Sequence, residues 1–272
     1  MSATMSTPRA AAVPAGTAPS PAIDASAVTL AHGRQVALRD VTLRIPTAAT
    51  TALIGPNGAG KSTLLHAFAG LLAPTTGAVV VGGQRMAEAR HRIAYVLQST
   101  AVAEHLPVTV REVVTMGRYA HRGPVGRLRP TDRARIDEAI ERLELGGLER
   151  RHLGELSGGQ RQRVFVAQGL AQDADVLLLD EPVAGLDIAS RQRILAVVAE
   201  ETAAGRAVVV STHDLADAAA ADHVVLLGGR VVAAGPPATV LTRDHLAAAY
   251  GARLLRLDDG LLLLDEGSHH PH

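Results

Sequence analysis

Residues 55–62 read Gly55-Pro56-Asn57-Gly58-Ala59-Gly60-Lys61-Ser62, a full match to the pattern G-x-x-x-x-G-K-[ST]. The apolar run Ala49-Thr50-Thr51-Ala52-Leu53-Ile54 precedes it, and residues 62–69 after it read as helix. Strand, glycine loop and helix in that order form a cradle for phosphate oxygens. The loop's backbone N–H groups and the positive end of the helix surround the anion, and the lysine neutralises it. Lys61 is the only lysine in the chain, against 26 arginines. A close-fitting loop needs a slender point charge, and a planar guanidinium is bulkier and demands a fork geometry. A composition skewed to arginine could leave one lysine anywhere by chance, but this one stands between an apolar strand and a helix start.

With 272 residues and 47% apolar content the chain can bury the core of one large domain, or of a domain with a subdomain. Basic and acidic residues number 27 each, so no global charge draws it to nucleic acid or to an anionic membrane. The absence of cysteine excludes disulfides, thiolate metal sites and cysteine nucleophiles, and is compatible with a reducing cytoplasm. No apolar run approaches the roughly 18 residues of a spanning helix. Residues 1–22 are rich in Ala, Ser, Thr and Pro and lack a hydrophobic centre, so they read as a disordered tail rather than a secretory signal. Residues 252–272 read as a hairpin about Asp258-Asp259-Gly260 followed by the tail Ser268-His269-His270-Pro271-His272. Twelve histidines are otherwise scattered without a short ligand cluster.

Residues 27–30 and 36–45 alternate around His32-Gly33-Arg34 as hairpin strands, and residues 77–83 offer another short strand. From 108 to 151 the pattern turns helical, with Ile136, Ile140 and Leu143 on one face of residues 132–145 and charges opposite. Val176-Leu177-Leu178-Leu179 and Ala207-Val208-Val209-Val210 are unbroken apolar runs of the kind found in parallel strands buried on both faces. Residues 189–203 read as the crossover helix between them, and residues 224–234 as a hairpin about Gly228-Gly229.

Asp180-Glu181 closes the first of those strands, placing two carboxylates at a carboxyl end, where open α/β sheets bind ligands. With a phosphate loop in the same chain, Ser62 and Asp180 suit Mg²⁺, and Glu181 suits a base that polarises the water attacking a γ-phosphate. A second anion site is signalled by Leu156-Ser157-Gly158-Gly159-Gln160. Ser157 and Gln160 stand in the S-x-x-Q relation of a capping box, and the two glycines let an anion approach the backbone. Two such helix starts imply either two nucleotides or one nucleotide held between two subunits.

Over residues 23–251 these motifs resemble the nucleotide-binding subunit of ATP-binding cassette (ABC) transporters. The resemblance implies an α/β fold of the P-loop NTPase class, with a RecA-like core sheet, an N-terminal antiparallel β subdomain and a helical subdomain at about 99–164. It implies that Gly55, Pro56, Asn57, Gly58, Ala59, Gly60, Lys61, Ser62 and Thr63 hold ATP. Leu156, Ser157, Gly158, Gly159 and Gln160 would form the signature that contacts ATP of the opposite subunit, joined across the dimer by Asp187 in Ala184-Gly185-Leu186-Asp187. Gln98 is similar to the loop glutamine that touches Mg²⁺ and reports to the membrane partner, and His213 to the histidine that reaches the γ-phosphate. The family usually places an aromatic residue where this chain has His32. An imidazole can stack on adenine less strongly, or His32 serves as a turn residue; both readings stand.

Residues 107–119, Pro107 to Tyr119, resemble the corresponding region of zinc and manganese importers, and iron-chelate, haem and cobalamin importers carry comparable text. The resemblance thus implies ATP and Mg²⁺ as cofactors, a homodimer, a separate membrane permease, a solute-binding capture protein, residence at the cytoplasmic face of the membrane, and no nucleic acid. A soluble, non-transport cassette ATPase is the main rival, though one cassette without sustained heptads fits it poorly. A small-molecule kinase leaves residues 156–160 without a role, and a module that holds ATP without hydrolysis leaves Glu181 without one.

Overall fold

The computed structural model describes residues 20–97, 107–123, 126–251, 254–257 and 260–263. The N-terminal segment up to residue 19, Gln98 and the terminal histidines lie outside them. In chain order the first elements are β1 (Ile23–His32), β2 (Gln35–Ile45), β3 (Thr50–Ile54), α1 (Lys61–Phe68), β4 (Thr76–Val81), β5 (Gln84–Arg85), α2 (Met86–Ala89) and β6 (Ile93–Val96). Then come α3 (Val110–Met116), α4 (Tyr119–Arg122), α5 (Pro130–Arg142), α6 (Gly158–Ala171), β7 (Val176–Leu179), α7 (Ile188–Ala203) and β8 (Ala207–Thr212). The remainder is α8 (Leu215–Ala219), β9 (His223–Leu227), β10 (Val231–Gly235), α9 (Pro237–Val240), α10 (Arg243–Tyr250) and the pair β11 (Leu254–Leu257) and β12 (Gly260–Leu263).

Two sheets organise the chain. One has the order β2-β1-β4-β5 and is antiparallel; the other has the order β10-β9-β3-β8-β7-β6, and all its pairings are parallel except β10 with β9. Period-two alternation explains the unbroken apolar runs. Val176 and Leu178 of β7, with Ala207 and Val209 of β8, join the cluster around α1, where Leu64, Leu65 and Phe68 are buried. Leu177, Leu179, Val208 and Val210 face the other way, into the cluster that holds α6 and α7. A strand apolar at every position is therefore two half-strands, each serving its own layer of helices. The predicted hairpin at 224–234 forms, but β9 also pairs parallel with β3, so it extends the central sheet.

The helical segment shares its core with the sheet. Val110, Val113, Val114, Ile136, Ile140 and Leu143 pack with Val164 and Val166 of α6 and with Leu177 and Leu179. Gly117 admits α6 at close range, because a Cβ there would lie 2.2 Å from the carbonyl oxygen of Gln168. The expectation that α5 turns its charges to solvent fails at Asp132, which is fully buried. Arg118 and Arg122 lie 2.9 and 2.8 Å from its carboxylate, and the backbone N–H of Arg129 donates to it. This carboxylate helps cap α5, which begins at Pro130, and ties it to α4. Arg142 reaches Glu200 and Glu201 of α7, fastening the other end of α5 to the core.

The hydrogen bond from Arg122, aided by those from Arg129 and Arg118 and opposed by burial, holds the Asp132 carboxyl well below the usual carboxylate range. Removing one partner of a buried ion cluster leaves the others unpaired. Asp132→Ala should therefore lower stability by about 3 kcal/mol in urea unfolding at neutral pH. Because the folded pKa is depressed, this contribution is present above about pH 4 and lost as the pH falls through the lower folded value. The gap between parent and variant should accordingly close in acid.

Candidate nucleotide site

The sheet order brings the predicted residues together. β3, β8 and β7 are neighbours and parallel, so the phosphate loop after β3, Thr212-His213 at the end of β8 and Asp180-Glu181 after β7 all emerge at one edge. β6 pairs parallel with β7 and ends two residues before Gln98.

The phosphate loop is shaped by close approach and by positive φ. A Cβ on Gly55 would lie 2.3 Å from the carbonyl oxygen of Leu227, so no side chain fits there. Gly58 and Gly60 have φ of 79° and 98°, which glycine adopts without strain. Lys61 is buried and its Nζ donates to the carbonyl oxygens of Gly55 at 2.8 Å and Pro56 at 3.4 Å, while Ser62 is exposed at the start of α1. Helix geometry leaves the first N–H groups of α1 without intrahelical acceptors, which suits an anion. The turn between β1 and β2 reaches this helix start: His32 Nε2 lies 3.2 Å from Thr63 Oγ1. The exposed imidazole thus stands at the rim of the phosphate loop.

At the carboxylate corner the side chains are tightly held. Asp180 Oδ1 accepts from the Ser211 hydroxyl at 2.6 Å, and Oδ2 from the Tyr95 hydroxyl at 3.2 Å. Burial pushes the Tyr95 pKa up, and the neighbouring Asp180 charge adds to the rise. The backbone N–H of Glu181 donates to Ser211 Oγ at 2.8 Å. Glu181 has φ of 45°, a left-handed conformation that costs a residue with a Cβ about 1 to 2 kcal/mol. Glu181 and His213 line a common pocket of about 90 Å³ with Ala184, Gly185, Ser211 and Thr212. Neither Tyr95 nor Ser211 was among the sequence-derived site residues. A polar residue ending the apolar run of β8 was the only local signal for Ser211, and Tyr95 offered none.

The second helix start is built as its sequence predicts. Ser157 Oγ accepts from the backbone N–H of Gln160 at 3.2 Å, and Gln160 Oε1 from that of Ser157 at 3.0 Å. Ser157 and Gly158 are exposed, Leu156 is buried, and Gly159 packs on α7. A Cβ on Gly159 would lie 2.5 Å from both Asp187 Oδ2 and Ser190 Oγ. Asp187 caps α7 by accepting from the backbone N–H of Ser190 at 2.8 Å, a bond that lowers its pKa. The two helix starts belong to opposite faces of the central sheet, α1 to one layer and α6 with α7 to the other.

The donor set fits a nucleotide triphosphate with a hard divalent cation: one buried ammonium, the N–H groups of a helix start, a hydroxyl and a carboxylate, all nitrogen donors to anions or oxygen ligands to Mg²⁺. Among the described residues no group of three or more His, Asp or Glu gathers as a transition-metal site, and no helix is long and apolar enough to cross a membrane.

Comparison with known proteins gives the same answer. Residues 38–184 match the family model described as ABC transporter. The zinc transport system ATP-binding protein TroB of Treponema pallidum is 43% identical over 86% of this chain and 88% of its own. The manganese transport system ATP-binding protein MntB of Listeria innocua is 40% identical over 82% of this chain and 94% of its own. An ATP-binding cassette solved as a dimer in a post-hydrolysis state with ADP and Pi superposes with a TM-score of 0.69 at 27% identity, over 79% of this chain and 98% of that one. With strand order, phosphate loop, signature helix and relatives in agreement, the chain belongs to the ABC transporter family as an ATP-binding, ATP-hydrolysing subunit.

Proposed function

We propose that the chain drives import of a transition metal ion, zinc or manganese, through a separate permease. The observation that carries the hydrolytic part is the adjacency of β3, β8 and β7, which brings Lys61, His213, Asp180 and Glu181 to one sheet edge. The cargo is supported by the names and the extent of identity of the zinc and manganese relatives. This chain's contribution is the same whichever metal passes, because the cargo's path lies in the permease.

In this reading residues 55–63 and Lys61 bind the ATP phosphates, and His32 lies beside the base. Ser62, Gln98 and Asp180 would hold Mg²⁺, which would supply neutralisation of the phosphate charge. Glu181 accepts a proton from the attacking water, and His213 orients the γ-phosphate. The opposite-face positions of α1 and α6 support a site shared between two copies. Residues 156–160 of one copy, with Asp187, then complete the phosphate site of its partner. The dimer works at the cytoplasmic face of the membrane, where opening and closing moves the permease, and a capture protein on the other side delivers the ion. Nucleic acid has no part in this cycle.

Lys61→Ala should abolish ATP binding, while Glu181→Gln should retain ATP, trap a dimer in gel filtration, and slow turnover by about 100-fold or more. A Glu181→Gln protein as fast as the parent would remove Glu181 as the base.

Gly159→Ala drives a methyl group into the Asp187 cap, so turnover should fall by about tenfold or more while ATP binding to the single subunit is kept. Equal loss of both would argue against a shared site.

Under metal limitation, cells carrying Lys61→Ala should lose zinc or manganese selectively in elemental analysis. Unchanged zinc, manganese and iron would sink the metal reading and leave the ATPase intact.

A further inference from the structure

We propose that Ser211 is a positioning residue for hydrolysis, whose single hydroxyl sets the base Glu181 relative to the metal-holding Asp180. The inference rests on the roles proposed above for those two carboxylates. Three observations support it. Ser211 is fully buried, and its Oγ donates to Asp180 Oδ1 at 2.6 Å while accepting from the backbone N–H of Glu181 at 2.8 Å. Glu181 carries a φ of 45°, and a strained conformation persists only when its surroundings over-determine it. Asp180 is held at its other oxygen by Tyr95 at 3.2 Å, so it cannot swing to follow a displaced partner.

These bonds run in one direction, from the Glu181 N–H through the Ser211 O–H to the Asp180 carboxylate, and such chains strengthen one another. A hydroxyl is needed because the central group must donate and accept at once; alanine does neither. Without Ser211 Oγ the Glu181 N–H loses its acceptor, and the residue is free to leave the left-handed region. The carboxylate would then turn away from the water it is to deprotonate. The phosphate loop is packed elsewhere, Gly55 against the Leu227 backbone and Gly60 against the Leu38 side chain, so ATP binding would be spared.

The test compares Ser211→Ala, Ser211→Cys and Ser211→Thr in the full-length chain. It measures thermal melting, equilibrium binding of radiolabelled ATP, and steady-state turnover. Ser211→Ala should lower kcat by about tenfold or more with the ATP Kd changed by no more than about twofold. Ser211→Cys, which keeps the shape but donates and accepts weakly, should resemble Ser211→Ala. Ser211→Thr, which restores the hydroxyl, should recover most of the rate. Adding Ser211→Ala to Glu181→Gln should slow the residual single-turnover rate no further, because a residue acting through Glu181 has nothing left to position.

Parent-like kcat in both Ser211→Ala and Ser211→Cys would overturn the proposal, as would an additive loss in the double variant. If Ser211→Ala does not fold, Ser211→Cys carries the same decision. A fully active Glu181→Gln would instead remove the base on which the proposal rests, a result separable from an inactive Glu181→Gln beside an active Ser211→Ala.

Discussion

Parallel pairing of β3, β8 and β7 decides where every polar group of the nucleotide site can be. β7 is apolar throughout and β8 is apolar as far as Val210, and both are buried on two faces, so the polar side chains they contribute to the site come at or just past their carboxyl ends. Because the three run the same way, their stops coincide at one edge. An antiparallel partner between them would have sent His213 or Asp180 to the opposite end of the sheet. The sheet's hydrophobicity and its chemistry are thus one constraint seen twice: the burial that fixes strand order also collects Lys61, Asp180, Glu181 and His213.

At that edge the scaffold holds one unfavourable backbone conformation. Glu181 sits in the left-handed region, and the bonds around it compensate. The bond from the Glu181 N–H to Ser211 Oγ, itself anchored on Asp180, offsets part of the strain of about 1 to 2 kcal/mol at Glu181. The corner therefore depends on a single oxygen atom, Ser211 Oγ. Tyr95 already engages the other oxygen of Asp180, so that oxygen is not available to take over the lost bond.

What the sequence discloses and what it withholds divide along contact range. The phosphate loop, the capping box at Ser157 and the doubly buried strands are local patterns, each set within a dozen residues, and each forms as read. Asp132 looked like a surface charge because helical periodicity alone cannot show that Arg118 and Arg122 fold back over it. Ser211 and Asp180 are 31 residues apart, and Tyr95 and Asp180 85 apart. Their meeting depends on strand order, which no local pattern carries. The packing of Gly159 on Asp187 is invisible for the same reason, although both residues were picked out separately by resemblance.

That packing links the two halves of the chain's proposed work. Asp187 starts α7 and Gly159 lies in the first turn of α6, so the cap of one helix is the floor beneath the other. A displacement of either helix start must move both, since the gap between them admits no additional atom. On the opposite face α1 and its phosphate loop pack against β1 and β2. In the proposed shared site, a nucleotide would touch the phosphate loop of one copy and the signature helix of the other.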